Sequence, residues 1–218
     1  MLDLLLETHM TEEQREYAES TRLCACKLLE IMNATLEFSA LAARQIALEE
    51  SEFRFTELLS SIVDEFAFKA KQKGLTLIRR FDRTLPESVV GDGLRVKQLL
   101  SKIIENALKF TSEGQIEIVT LPPTPTSGGV ILTVQVVDTG AGIAKNTMTC
   151  IFDSFHQADR GIARRHTGLG LGLSVAHELG KLMKAEFSVD SELGKGSTFS
   201  ISIPLALPGS LRHQPPTL

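Results

Sequence analysis

Between residues 11 and 48 the chain has neither Gly nor Pro, and Tyr17, Cys24, Ile31 and Phe38 recur every seven positions. With Leu28 and Ala42 at intermediate offsets, this spacing predicts one long helix with a packing seam. Thr11, followed by Glu12, Glu13 and Gln14, has the makeup of a capped helix start. Upstream, the apolar run LDLLLE (Leu2 to Glu7) predicts the end of another helix, with THM as the turn. The N-terminal piece therefore predicts a helical hairpin with a short first arm, and a seam of this length calls for a partner such as a second copy of the chain.

Around Ser51 the pattern changes. Leu58, Leu59, Ile62, Val63, Phe66 and Ala70 form an apolar stripe at helical spacing over Phe55 to Lys73, and Gly74 stops it. LTLIRRFD reads as a strand, and GDGLRVKQLLSKIIENALKFT as a second helix starting near Asp92. GQIEIVTL and GVILTVQVVD read as strands joined by PPTPTSGG, a loop rich in turn residues. SVAHELGKLM reads as a helix, and AEFSVDSELGKGSTFSISIPL as a two-stranded hairpin turning at ELGKG. The tail PGSLRHQPPTL is Pro-rich. Helices first, then strands mixed with helices, predict an α+β fold with a helix layer on one sheet.

Composition narrows the function classes. A length of 218 residues suffices for one good-sized core with an appendage, and 43% hydrophobic with 23% charged residues is ordinary for a soluble protein. A formal net charge of −4 provides no basic field for nucleic acid or an anionic membrane. No apolar run approaches the ~20 residues needed to cross a bilayer, and the N-terminus lacks the basic region, apolar run and cleavage site of a signal peptide. Cys24 and Cys26 lie two apart in a helical segment and point to different sides, and Cys150 is distant. Reduced thiols in a cytosolic setting are expected.

Candidate chemistry begins at VVDTGAGI, Val136 to Ile143. An aspartic-protease reading needs two carboxylates close together. One chain supplies a single Asp-Thr-Gly, and the long helices and the extra Gly142 do not suit a small all-β dimer. A nucleotide reading fits better. Gly140 and Gly142 allow a sharp turn with room for a flat ligand, and Asp138 at a strand end can accept from an exocyclic amine. Leu99, Ile103, Asn106 and Phe110 share one helix face, which places an amide in an apolar stripe. Asn106 is either a core amide satisfied by the backbone or an oxygen ligand for a hard cation such as Mg²⁺. Lys102 and Lys109 flank it, and Lys109 could instead pair with Glu105 at i,i+4. HTGLGLGLS, with Gly168, Gly170 and Gly172, is a glycine-rich loop opening a helix, the makeup of a phosphate cradle. It has neither the Rossmann spacing nor the Gly-Lys-Ser/Thr of a P-loop. The preceding QADRGIARRH suits a lid, with Arg164 and Arg165 as phosphate contacts or as solvated loop residues.

Taken in order, ENALKFT, DTGAGI, IFDSF and GLGLGL resemble the N, G1, F and G2 boxes of sensor histidine kinases. GKGSTF (Gly194 to Phe199) resembles their closing glycine motif, and GDGLRVKQLL the stretch before the N box. The resemblance covers residues 51 to 205. TEEQREYAES is similar to the start of the second helix in the dimerisation and phosphoacceptor hairpin of hybrid-type histidine kinases. The resemblance implies a Bergerat-type fold of the GHKL ATPase superfamily: a mixed sheet covered by helices, preceded by a partial hairpin. It divides the chain into a dimerisation hairpin at 1–50, an ATP-binding catalytic domain at 51–207 and a tail at 208–218.

By the same resemblance, Asp138 holds the adenine amine, Gly140 and Gly142 form the turn beneath it, Asn106 binds Mg²⁺ and Lys109 lies near the phosphates. Phe152 and Phe155 anchor the lid base or are simply core aromatics. Gly168, Leu169, Gly170, Leu171, Gly172 and Leu173 line the triphosphate, and Ile143, Arg164, Arg165, Phe155 and Thr198 complete the ATP-binding set. The implied reaction is transfer of the ATP γ-phosphoryl to a His and onward to an Asp of a response-regulator receiver domain, by a cytoplasmic homodimer joined through the hairpin.

Three departures from the family stand out. Lys102 occupies the place of a frequent second Asn, where a cation would repel Mg²⁺ or contact phosphate. The usual glycine pair after the last helix is Lys184-Ala185. None of His9, His156, His166, His177 and His213 has the context of a phosphoacceptor, so this chain alone is not expected to phosphorylate itself. Two rival readings follow: a degenerate kinase acting as a dimerising or regulatory module without turnover, and an ATP-hydrolysing relative, which would need a Glu where Lys102 stands.

Overall fold

The computed structural model describes residues 1–43, 46–153 and 171–209. The first two helices are α1 (Leu2–Leu6) and α2 (Glu12–Ala42). The start of α2 is closed by a reciprocal capping box: Thr11 Oγ1 accepts from the Gln14 N–H at 3.2 Å, and Gln14 Oε1 accepts from the Thr11 N–H at 3.0 Å. Helix α1 folds back along α2, where Asp3 lies 3.6 Å from Arg22.

The expected helix over 11–48 ends early, at Ala42. Residues 46–50 belong to no helix. Here the chain is drawn onto the body that follows: the Glu49 N–H donates to Asp92 Oδ2 at 3.0 Å, and Ile46 and Leu48 pack against the core. An amide committed to that carboxylate cannot continue the helical ladder.

The body runs β1 (Ser51–Phe53), α3 (Phe55–Gln72), β2 (Thr76–Arg80), β3 (Val89–Gly91), α4 (Gly93–Phe110), β4 (Gln115–Thr120), β5 (Thr124–Thr126), β6 (Gly129–Asp138), a 3₁₀ turn at Met148–Cys150, α5 (Gly172–Leu182), β7 (Glu186–Glu192) and β8 (Gly196–Leu205). The main sheet has the order β2-β4-β6-β8-β7. β2 pairs with β4 in parallel, and the other neighbours are antiparallel. β1 and β3 form a separate two-stranded ribbon.

Alternation along the strands decides which face carries the helices. Val130, Leu132, Val134 and Val136 of β6 are buried, as are Ile116 and Ile118 of β4 and Phe199, Ile201 and Ile203 of β8. This row meets Phe55, Leu59, Ile62 and Phe66 of α3, Leu99, Leu100, Ile103 and Ile104 of α4, and Val175 and Leu179 of α5 in one core. The opposite face carries Thr133, Gln135, Ser200 and Ser202, with Thr133 paired to Ser202 at 2.9 Å and Gln135 to Ser200 at 3.0 Å. Asp92 does two jobs at the front of α4: Oδ1 accepts from the Arg95 N–H at 3.0 Å as an N-cap, while Oδ2 holds the Glu49 tether.

Three strands escape the sequence pattern because each is only three residues long: β1, β3 and β5. The stretch expected as a plain loop, PPTPTSGG, folds a small hairpin in which β5 pairs with β6. Pro125 is tolerated there because an edge strand leaves one row of N–H positions unpaired. In α3, Leu58 is only partly buried and Phe55 takes its place in the stripe.

Candidate functional site

Asp138 is the last member of the buried row of β6, so the alternation that fills the core also delivers a carboxylate to the strand end, 6% exposed. Its Oδ1 accepts from the Gly140 N–H at 2.8 Å. Burial pushes its carboxyl above the ordinary range, and the N–H groups of Gly140 and Ser197 oppose that rise. The site thus holds a desolvated acceptor whose position is fixed by the turn that follows it.

That turn leaves no room for side chains. A Cβ on Gly140 would lie 2.6 Å from the Phe110 carbonyl oxygen and 2.8 Å from Asp138 Oδ1. Gly142 sits at φ +68°, with its Cα facing the Glu192 carbonyl. The Ala141 N–H donates to the Phe110 carbonyl at 3.2 Å, and the Gly194 N–H donates to the Ala141 carbonyl at 2.7 Å. One turn therefore joins the end of α4 to the β7–β8 hairpin. The Ile143 N–H donates to Ser191 Oγ at 2.8 Å, and Ser191 is buried beside Ser197.

Register separates two neighbours on β8. Ser197 lies opposite Asp138 and shares its face, whereas Thr198 lies opposite Val137 on the other face. The sequence reading placed Thr198 at the site. The pairing carries Thr198 to the open side of the sheet and stands the buried Ser197 beside the carboxylate. Neither Ser191 nor Ser197 was singled out from sequence. The alternation of β8, in which residue 197 begins the apolar row Phe199, Ile201, Ile203, is the signal that could have found Ser197.

On α4, Leu99 and Ile103 are fully buried, Asn106 is half-buried, and Phe110 is 39% exposed. The face expected to be a continuous apolar stripe thus runs out of the core, and Asn106 sits at its rim. No described residue hydrogen-bonds the Asn106 side chain, so its amide oxygen is available to a ligand, one helical turn before the carbonyl that anchors the Asp138–Gly142 turn. The Lys109 ammonium lies 5.1 Å from the centre of the Phe110 ring, and burial lowers its pKa. It makes no ion pair with Glu105 among the described residues. Lys102 points to the N-terminal helices, with Nζ 4.0 Å from Glu37 Oε2 on α2.

Leu171 and Gly172 open α5, which packs against α4. Among the described residues no side chain caps this helix, and a Cβ at Gly172 would meet nothing within 4 Å. Leu171 is buried and Leu173 partly so. Phe155, Arg164, Arg165, Gly168, Leu169 and Gly170 lie outside the described residues. Phe152, by contrast, stacks on His177 with centroids 4.8 Å apart, and Phe187 closes the trio at 5.5 Å from each. These contacts make Phe152 a partly buried aromatic packed against the core.

Asp138 and Ser197 offer acceptors beside the turn that is bonded to the end of α4, and α4 carries Asn106 and Lys109 and packs against α5. Residues 91–207, more than half of the chain, match the family described as histidine kinase-, DNA gyrase B-, and HSP90-like ATPase, and the chain belongs to that family. The mixed sheet covered by helices is the fold expected from the sequence boxes.

Within the family, the chain resembles sensor kinases. It is 35% identical to "Signal transduction histidine-protein kinase BarA" of Shigella flexneri over 215 residues, 99% of this chain and 23% of that protein. It is 36% identical to "Hybrid signal transduction histidine kinase L" of Dictyostelium discoideum over 201 residues, 92% of this chain and 12% of that protein. Among solved structures, "ShkA full-length in complex with AMPPNP" matches with a TM-score of 0.80 at 31% identity, over 95% of this chain and 42% of that chain. The chain spans less than a quarter of the length of these curated relatives. The family and the nucleotide analogue in that related structure support ATP binding. Among the described residues, no helix is long and apolar enough to cross a membrane.

Proposed function

We propose that this chain is the ATP-binding catalytic region of a hybrid-type sensor histidine kinase, in the cytoplasm. A hairpin at 1–50 joins two copies, the catalytic domain occupies 51–207, and 208–218 is a tail. The observation that carries this reading is the meeting of Asp138 and the α4 end: Ala141 bonds the Phe110 carbonyl, one turn beyond Asn106, whose side-chain amide no described residue hydrogen-bonds. Asp138 accepts from the adenine amine, and Gly140 and Gly142 form the turn that holds it, packed against the Phe110 and Glu192 carbonyls.

Asn106 fits a hard cation, because its oxygen is half-buried and spoken for by no described protein group. Mg²⁺ there would offset charge on the transferring phosphoryl. Lys109 and the amides of Gly172 and Leu173 face the phosphates, and holding them in line is most of the protein's contribution. Lys102 is engaged by Glu37, which relieves the repulsion that its position beside a cation suggests. The γ-phosphoryl passes from ATP to an imidazole nitrogen of a His outside this chain, leaving ADP. From there it passes to a receiver-domain Asp. The degenerate-module and ATP-hydrolysing alternatives gain nothing from the relatives, which are named kinases.

Calorimetric titration tests this directly. ATP is expected to bind the chain more tightly with Mg²⁺ than with a chelator, and Asn106→Ala to lose that difference. Equal binding with and without metal removes Asn106 from the metal role, and no binding at all favours the degenerate module. Incubation of the chain alone with radiolabelled ATP is expected to leave no acid-labile phosphate on it.

A further inference from the structure

Ser191, at the end of β7, makes three contacts through one oxygen. It donates to the Gly196 carbonyl at 2.9 Å, accepts from the Ile143 N–H at 2.8 Å, and lies 3.0 Å from Ser197 Oγ. A hydroxyl has one hydrogen and two lone pairs. With its hydrogen spent on Gly196 and one lone pair on Ile143, its contact with Ser197 can be satisfied only if Ser197 donates. The Ser197 hydrogen is then directed at Ser191, and Ser197 offers only lone pairs elsewhere. Ser191 and Ser197 are each 8% exposed, and directly opposed in register, so neither oxygen has bulk water to turn to.

We propose that Ser191 is a positioning residue that sets purine selectivity: it pins the Ile143 end of the turn and holds the Ser197 hydroxyl as an acceptor beside Asp138. This rests on the adenine reading of the site given above. Two acceptors side by side, reaching the base directly or through a water, favour an exocyclic amine and oppose a 6-oxo group, whose oxygen would face lone pairs. Without Ser191, the Ser197 hydroxyl is free to rotate and donate, and a 6-oxo purine gains a partner. The effect belongs to the base end of the ligand, so it is independent of the γ-phosphate.

Titration of the whole chain with ATP, ADP and inosine triphosphate in the presence of Mg²⁺ tests this. Ser191→Ala is expected to weaken ATP and ADP alike, about three- to tenfold, the scale of one lost hydrogen bond. The preference for ATP over inosine triphosphate should narrow by about threefold, and Ser191→Thr, which keeps the hydroxyl, should restore it. Ser197→Ala, which leaves the Ile143 anchor in place, should narrow the same ratio by weakening ATP without weakening inosine triphosphate. Unchanged ATP affinity and ratio in Ser191→Ala, or equal losses for both triphosphates, overturns the proposal while leaving the ATP site standing. A wild-type chain that binds neither triphosphate overturns the adenine reading itself, and this inference with it.

Discussion

The N-terminal helices and the sheet body use apolar residues in opposite ways. In the body, the stripes of α3, α4 and α5 close on one face of the sheet, and Phe55, Phe66, Leu99, Ile103 and Leu132 are essentially sealed from water. Along α2, Tyr17 is 62% exposed, Leu28 57%, Met32 51% and Leu36 65%, and before residue 51 only Ala18 and Leu41 are buried apolar residues among those described. Both regions have helical periodicity. Only the body closes its stripes along their whole length; α2 meets it near its C-terminal end, where Leu41 joins the core and Phe38 packs against it. An apolar stripe becomes a core through what faces it, and a stripe of this length left open is the mark of a partner surface. The same contrast governs polar groups. Asp92, Asp138, Ser191 and Ser197 are buried and bonded in the body, whereas the polar contacts of α2 are exposed or only partly buried, within the helix as Tyr17 to Glu13 or outside it as Arg22 to Asp3 and Glu37 to Lys102.

The sharpest way to break this contrast is to open the core. Phe66→Ala removes a sealed ring between α3 and the rest of the body, and should cost about 3–5 kcal/mol by chemical denaturation. A loss under about 1 kcal/mol would mean that the body is not packed as described.

Next comes the buried carboxylate. Asp138→Asn keeps the Gly140 N–H bonded through Oδ1 and turns a donor toward the ligand, so ATP affinity should fall at least tenfold by calorimetry. Its stability effect has the opposite sign. A carboxyl raised by burial favours the fold below the ordinary carboxylate pKa, and that contribution is lost as pH rises through its folded value. At pH 7 the Asn variant should therefore melt higher than wild type, and the gap should close as pH falls through the carboxylate range. A lower melting temperature at pH 7 would show that the Gly140 and Ser197 N–H groups outweigh desolvation.

On the other side of the comparison, Leu28→Glu with Met32→Glu should lower the association state proposed for the chain in sedimentation, yet move the unfolding free energy of the body by less than about 0.5 kcal/mol. Loss of body stability would show that the open stripe belongs to the same core. The smallest effect concerns Lys184, the non-Gly residue at φ 57° that follows α5. Lys184→Gly should stabilise by about 1 kcal/mol, because a side chain in the left-handed region is strained and glycine is not. An unchanged melting temperature would show that the Lys side chain makes up the difference.

Much of this molecule could be read from residue order. Period and capping chemistry determined α2 from Thr11, α3 up to Gly74, α4 from Asp92, and the long strands β6 and β8, since these depend on neighbours three or four positions apart or on simple alternation. The Asp138–Gly142 turn and the Asn106 helix were legible for the same reason, as each is a local pattern. Tertiary structure alone decided the rest. It ended α2 at Ala42 and bonded the Glu49 amide to Asp92, made strands of three-residue stretches that gain their bonds only from distant partners, and put Asn106 at the rim of the core stripe. It also set Ser197, and not Thr198, beside Asp138 on one face, because a sheet's register is set between strands, and a shift of one residue turns a side chain to the opposite face.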